Sequence, residues 1–298
     1  MTSNRVAIIQ ARMSSSRLAG KVLRQLAGRP LLQFMLERVA QSKLIDSFVV
    51  ATTRDPSDDP LAGFCQELKI ACFRGSMHDV LDRFYQAALL FHADVVIRLT
   101  ADCPLIDPDL IDHTITVFSG NPLPPQPKTP SQLPDVPPSG PFPLDFAADR
   151  LPPPWKRTLP IGLDVEVCSM GALQRAWQET SEPYQREHVL PYIYEGITFP
   201  EPTPQPAQDW YVEHDLTPNG FRIALLNHFP DYGALRWTVD TSADLEFVQQ
   251  VVKRFEGQPA FTWLDVLALL EREPELAAIN AHVMHKSAFD VDQRSSNP

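Results

Sequence analysis

The residues best equipped for chemistry crowd the N-terminal end of the chain. Behind the apolar run Val6-Ala7-Ile8-Ile9 comes Gln10-Ala11-Arg12-Met13-Ser14-Ser15-Ser16-Arg17-Leu18-Ala19-Gly20-Lys21, which reads as a buried strand followed by a small, hydroxylated, basic loop shaped to hold an anion. Residues 1–36 carry Arg5, Arg12, Arg17, Lys21, Arg24 and Arg29 and no Asp or Glu, in a chain of formal charge -11. A local basic pocket in an acidic protein suits a small anionic ligand such as a nucleoside triphosphate. A nucleic-acid backbone would want a basic face across the domain. Two familiar phosphate motifs are absent. Gly20-Lys21 would need Gly at 15 and Ser or Thr at 22, where Ser15 and Val22 stand, and no G-x-G-x-x-G follows the first strand.

The elements that must position this loop alternate in type. Pro30 opens a helical pattern with Leu31, Leu32, Met35, Leu36 and Val39 on one face; 47–53 reads as a strand, 60–69 as a helix and Ile70 to Phe73 as a short strand. A helix from about Asp79 to Phe91 and a buried strand from Asp94 to Leu99 follow. This alternation predicts an α/β fold with a doubly wound, mostly parallel sheet. Ligands on such sheets sit beyond the carboxyl ends of the strands, here the loops 10–21, 52–59, 74–79 and 100–107.

Fourteen of the 30 prolines lie between Asn121 and Pro160, a density that favours extended or flexible chain over helix and sheet. Residues 119–160 therefore read as a Pro-rich insertion between a nucleotide-binding half, 1–118, and an acceptor-binding half with C-terminal helices, 161–286. A polar tail, 287–298, ends the chain. In the second half, Leu163 to Val167, Trp210 to Glu213, Phe221 to Leu225 and Leu235 to Val239 read as strands, with Pro200 to Pro206 a second proline-bearing stretch. Met170 to Glu179, Gln185 to Glu195, about Ser242 to Phe255 and 262–271 read as helices.

The 298 residues, 44% of them hydrophobic, suffice for a substantial core in one large α/β domain or two small ones. No apolar run reaches bilayer-spanning length and no signal-peptide pattern opens the chain, so a soluble cytoplasmic protein, with neither membrane nor nucleic acid as partner, is expected. Cys65, Cys72, Cys103 and Cys168 show no C-x-x-C spacing, which gives no support to a zinc site or a disulfide framework.

The run Ile9-Gln10-Ala11-Arg12-Met13, with Ser15, Arg17-Leu18 and Gly20-Lys21, resembles the signature of the spore coat polysaccharide cytidylyltransferase-like proteins, relatives of the acylneuraminate and CMP-KDO synthetases. The likeness continues through Val49 to Thr53, Phe73 to Ser76, Asp79 to Leu81, Arg98 to Asp107, Gly162 to Val167, Arg186 to Val189 and Thr238 to Thr241. It implies a nucleotide-diphospho-sugar transferase-like Rossmann-type fold and a Mg²⁺-dependent cytidylyltransferase. Such an enzyme moves CMP from CTP to an acidic sugar or similar cell-surface precursor, and a homodimer is implied as well. The cytosine preference comes from the resemblance alone. The family usually has Gly where Ser14 stands and Pro where Ala19 stands.

Nucleotidyl transfer needs charge neutralisation on the triphosphate, a divalent metal at the α-phosphate and an acceptor held in line. Arg12 and Lys21 are candidates for the β- and γ-phosphates, with Gln10, Ala11, Ser15 and Arg17 completing the nucleotide loop. Asp102, at the end of a strand and before Cys103-Pro104, is a candidate Mg²⁺ ligand and catalytic residue. The resemblance suggests Asp240 as its partner, although an Asp there also suits the N-cap of the next helix. Arg74, Gly75 and Ser76 would approach base or ribose; Asp79 would bond ribose or cap its helix. Asp164 and Glu166, alternating on a strand, would face the acceptor with Arg186 and His188, or else form structural ion pairs. Two other readings remain open. One is a glycosyltransferase using a nucleotide-sugar donor, for which Asp107-Pro108-Asp109 supplies a D-x-D pattern at a helix start. The other is an inactive nucleotide-binding homologue, for which Ser14, Ala19 and the insertion argue and the retained Lys21 and Asp102 do not.

Overall fold

The computed structural model describes residues 3–15, 17–121, 144–149, 151, 157–197 and 209–284. Its first half runs β1 (Arg5–Gln10), a 3-10 turn (Lys21–Leu23), a small ribbon of β2 (Gln25–Leu26) and β3 (Arg29–Pro30), then α1 (Leu31–Val39) and β4 (Ser47–Thr53). A second 3-10 turn (Pro56–Asp58), α2 (Asp59–Glu67), β5 (Cys72–Gly75), α3 (Val80–Leu90), β6 (Val95–Thr100) and α4 (Pro108–Phe118) follow. The second half comprises β7 (Phe146–Ala148), β8 (Glu166–Ser169), α5 (Met170–Glu179), α6 (Pro183–His188), α7 (Pro191–Tyr194), β9 (Trp210–Leu216), β10 (Arg222–His228), α8 (Ser242–Arg254), α9 (Trp263–Arg272) and α10 (Glu275–Ala278).

Eight strands form one sheet in the order β5-β4-β1-β6-β8-β7-β10-β9. The four strands β5, β4, β1 and β6 are parallel; β8 lies antiparallel to both β6 and β7, and β9 antiparallel to β10. Alternation along β1 divides the core. Ala7 and Ile9 pack with residues of α1, α2, α4, α8 and α9, while Val6 and Ile8 pack with those of α3, α5 and α7. The fold is thus the expected doubly wound, mostly parallel α/β sheet. After β1 the chain adds β4 and β5 on one side and then returns to place β6 on the other. That reversal makes the carboxyl ends of β1 and β6 the switch point at which sheets of this kind hold their ligands.

Several elements depart from the sequence reading. The proline-rich stretch encloses β7, a fully buried strand between β8 and β10. Proline density is an average, and Phe146-Ala147-Ala148 contains none, so these residues supply the apolar strand a gap in the sheet requires. Residues 122–143, Pro200 to Pro206 and the tail 287–298 lie outside the described residues. The strand read at Leu163 to Val167 begins only at Glu166, and β5 begins at Cys72 rather than Ile70. The helix read over Gln185 to Glu195 is two short ones. Val189 at φ 76° and Pro191 interrupt the hydrogen-bond ladder between them. Leu235 to Val239 is extended chain with one bridge, Ile161 to Arg236, instead of a strand. It is held by Ile161 N to Leu235 O (2.9 Å) and Trp237 N to Ile161 O (2.6 Å).

Candidate active site

The basic loop is fastened at its root. Ala11 N donates to Ala51 O (3.2 Å), and Met13 O accepts from both Ser15 N and Gly20 N (2.9 Å each). Met13 N in turn donates to Asp58 Oδ1 at 2.6 Å. Asp58 is buried and also accepts from Thr53 N (3.2 Å) and the Thr53 hydroxyl, so it ties the loop to the end of β4. Gly20, at φ 66°, turns the chain into the 3-10 turn that carries Lys21 inward.

Lys21 Nζ lies 2.8 Å from Asp102 Oδ2, Asp240 Oδ1 and Val239 O alike. The three groups reach this point from the loop after β1, the turn after β6 and the approach to α8. Asp102 is held by its own carbonyl, which accepts from Val239 N (2.8 Å) and the Thr238 hydroxyl (3.2 Å). Burial pulls the Lys21 pKa down, but the two carboxylates outweigh it and leave it above its ordinary value. For Asp102, burial pushes upward and the Lys21 ammonium pulls further down, to well below the usual carboxylate range.

Asp240 is not the cap of α8. Thr241 takes that place, in a reciprocal capping box with Asp244. Asp240 is left to bind cations: its Oδ2 is 2.8 Å from Arg17 and 2.8 Å from Arg236. Arg236 is itself fixed by Asp244 at 2.9 and 3.1 Å, and Asn280 donates to Asp244 at 3.0 Å.

Among the described residues no group of three or more His, Cys, Asp or Glu side chains is arranged to hold a metal. The pair fits Mg²⁺ nonetheless. Two hard carboxylates converge on a single cation position, and Mg²⁺ takes one or two carboxylates while keeping several waters. Asp164 reaches the same corner, with Oδ2 3.8 Å from Cys103 Sγ, which is 3.6 Å from Asp102 Oδ1.

The remaining candidates sort differently. Arg74 is engaged by Thr53 O (2.8 Å), Asp55 O (3.1 Å) and Asp59 (2.7 Å), and so braces the loop after β4. Ser76 Oγ accepts from Asp79 N at 3.0 Å. Asp79 caps α3 through Asp82 N (2.8 Å), and its other oxygen takes Arg186 Nε at 2.9 Å and Nη2 at 2.5 Å. Arg186 also donates to Trp177 O (2.9 Å) and Thr180 O (3.3 Å). Instead of reaching toward an acceptor, it clasps α3 to α5 and α6. Glu166 ion-pairs with its cross-strand partner Arg98, which lies 3.4 Å from Gln10 Oε1. Of the acceptor set, Asp164 reaches the carboxylate corner through Cys103. His188 closes α6, half-buried.

Asp107 of the D-x-D pattern is buried and caps α4, accepting from Asp109 N (2.8 Å) and Trp263 N (2.6 Å). Both Asp107 oxygens are thereby taken up in holding backbone amides. Sequence reasoning missed Asp58, Arg83, Arg98, Arg236 and Asp244. Arg83 is buried in α3 and donates to Ser76 O at 2.6 Å. Burial and then the charge of Arg12 lower its pKa to about 10. A charged residue among Val80, Leu81 and Phe84 on the inner face of a helix was the available signal. For Asp244 it was the Thr-x-x-Asp spacing from Thr241.

A basic loop facing two carboxylates across the switch point of a doubly wound sheet defines a nucleotide-handling α/β protein. Its relatives narrow the class. The family model described as cytidylyltransferase matches residues 6–222. The chain is 31% identical to the spore coat polysaccharide biosynthesis protein SpsF of Bacillus subtilis, over 91% of this chain and 95% of that one. It is 32% identical to an uncharacterized protein of Methanocaldococcus jannaschii, over 97% and 99%. A solved cytidylyltransferase from Leptospira borgpetersenii superposes with a TM-score of 0.73 at 26% identity, covering 93% of this chain and 97% of that one. A 3-deoxy-manno-octulosonate cytidylyltransferase of Geobacter sulfurreducens shares 34% identity over 40% of this chain and 47% of its own length. The chain belongs to the cytidylyltransferase family.

Proposed function

We propose that this protein is a Mg²⁺-dependent cytidylyltransferase that transfers CMP from CTP to an acidic sugar destined for a cell-surface polysaccharide, with release of pyrophosphate. The observation that carries the reading is the convergence of Asp102 and Asp240 on one cation position beside the basic loop, in a chain of this family. Arg12, Arg17 and Lys21 bring positive charge to the triphosphate, and the Ser15 hydroxyl and the loop amides outside the loop's internal bonds would bond its oxygens. Asp102 and Asp240 would hold Mg²⁺, which when bound supplies charge neutralisation at the α-phosphate. The acceptor oxygen displaces pyrophosphate directly, without a covalent enzyme intermediate. The acidic sugar is supported by the 3-deoxy-manno-octulosonate relatives and the polysaccharide by SpsF. A cytoplasmic homodimer is the compartment and assembly this reading carries with it; no helix of the described residues is long and apolar enough to cross a membrane.

Melting temperature in Mg²⁺ with CTP, UTP, ATP or GTP tests the proposal. At 100 times its dissociation constant a ligand adds about 2.7 kcal/mol. Stabilisation by CTP, reduced in Arg12→Ala, is expected; no shift with any triphosphate would refute the proposal.

A further inference from the structure

The Lys21 ammonium has three hydrogens and three acceptors, each at 2.8 Å. No donor remains for a phosphate in this arrangement, although the family resemblance assigns Lys21 to the triphosphate. The two aspartates around it are anchored by other groups. Asp240 Oδ2 is clamped by Arg17 and Arg236, and Arg236 by Asp244, so that Oδ1 alone is presented to the cation position. The main chain of Asp102 is tied to Val239 and Thr238. Lysine, a compact charge on a flexible four-carbon stem, is the partner free to move.

We propose that Lys21 is the resident counter-ion of the divalent-metal position and is exchanged out of it. Its ammonium leaves Asp102 and Asp240 as a metal arrives with the nucleotide, and passes to the triphosphate oxygens. Metal alone is disfavoured, because the displaced ammonium would be left without an anionic partner beside a second cation. With a triphosphate present, the ammonium moves from one set of anionic oxygens to another, and no charge is stranded. Metal and nucleotide binding are thereby coupled through one side chain. The inference rests on the cytidylyltransferase reading only for the identity of the nucleotide.

The probe is Mn²⁺, titrated into the full chain without nucleotide and followed by the electron paramagnetic resonance of the free ion. Lys21→Met and Lys21→Gln are expected to bind Mn²⁺ about tenfold tighter than the native chain or better. Adding Asp102→Asn should abolish the gain. Equal affinity in native and variant chains, or weaker binding by the variants, overturns the exchange. Should neither variant fold, the native chain still decides. The Lys21 ammonium resonance, slowed in exchange by its three bonds, must shift when Mg²⁺ and a stabilising concentration of CTP are added together, and an unchanged resonance in a chain that CTP stabilises overturns the exchange. Failure of CTP to stabilise the native chain would instead refute the nucleotide assignment and leave the Mn²⁺ comparison standing.

Discussion

Gly162 governs how the segment bearing Asp240 lies against the sheet, and Gly162→Ala puts a magnitude on that control. The residue sits at φ 106°. A Cβ there would meet Thr238 N at 2.5 Å, the Trp237 carbonyl carbon at 2.6 Å and its oxygen at 2.9 Å. All three are backbone atoms, so no side chain can rotate away. Left-handed strain for a non-glycine residue costs about 1–3 kcal/mol, and overpacking typically about 1–3 kcal/mol, for a sum of about 2–6 kcal/mol. In a chain of this size that lowers the melting midpoint by roughly 3–10 °C. Gly257→Ala is the control. It shares a positive φ, 80°, but has no neighbour within 4 Å, so it should lose only about 1–2 kcal/mol. Urea unfolding of both variants measures the difference. Gly162→Ala should also weaken stabilisation by CTP in Mg²⁺, since Trp237 and Thr238 lead directly to Asp240. A destabilisation within about 0.5 kcal/mol of the control would refute the close-packing argument.

Other consequences are equally open to measurement. Arg38, 2% exposed, donates to Ile106 O (2.7 Å), Phe261 O (3.0 Å) and Pro259 O (3.4 Å) and lies 4.1 Å over the Phe261 ring. Arg38→Met strands these carbonyls and should cost about 3 kcal/mol in urea unfolding; a loss below about 1 kcal/mol would show that the carbonyls find other partners. His228 lies between Trp210 and Trp263 at 4.8 and 5.0 Å, with Nδ1 3.0 Å from Pro230 O, and burial lowers its pKa despite that carbonyl and Asp209. Below about pH 6.5 the unfolded chain therefore binds a proton the folded chain does not, so stability should fall as pH drops. His228→Phe should flatten that limb, and a slope unchanged in the variant would assign it to other groups. Arg186→Met, which removes the clasp on Asp79, should lower stability by about 1–2 kcal/mol. It should leave the KM for the acceptor unchanged; a raised KM would return Arg186 to the acceptor site.

The first half of the fold was legible because its strands are short apolar runs at regular spacing between amphipathic helices. The sequence placed β4 at residues 47–53, as found, and two of the carboxyl-end loops it marked, 10–21 and 100–107, meet at Lys21, where Asp240 joins them from a segment it did not mark as a loop. What escaped depends on contacts between distant residues. Phe146-Ala147-Ala148 is too short and too surrounded by proline to signal a strand, and it forms one because β8 and β10 flank it. Leu235 to Val239 has strand-like composition, but Ile161 and Asp102 take its hydrogen bonds singly. Arg98 with Glu166, and Arg236 with Asp244, are ion pairs that fold topology creates. Sequence spacing alone leaves Glu166 and Arg186 equally suited to an acceptor.

The most direct test of the central claim is pyrophosphate release from CTP, in Mg²⁺, with a panel of acidic sugars that includes 3-deoxy-ulosonic acids, for the native chain and for Asp102→Asn. Acceptor-dependent release from CTP in preference to UTP or ATP, abolished in Asp102→Asn, is the result expected. Release that persists in Asp102→Asn, or none with any acidic sugar despite bound CTP, would contradict the account.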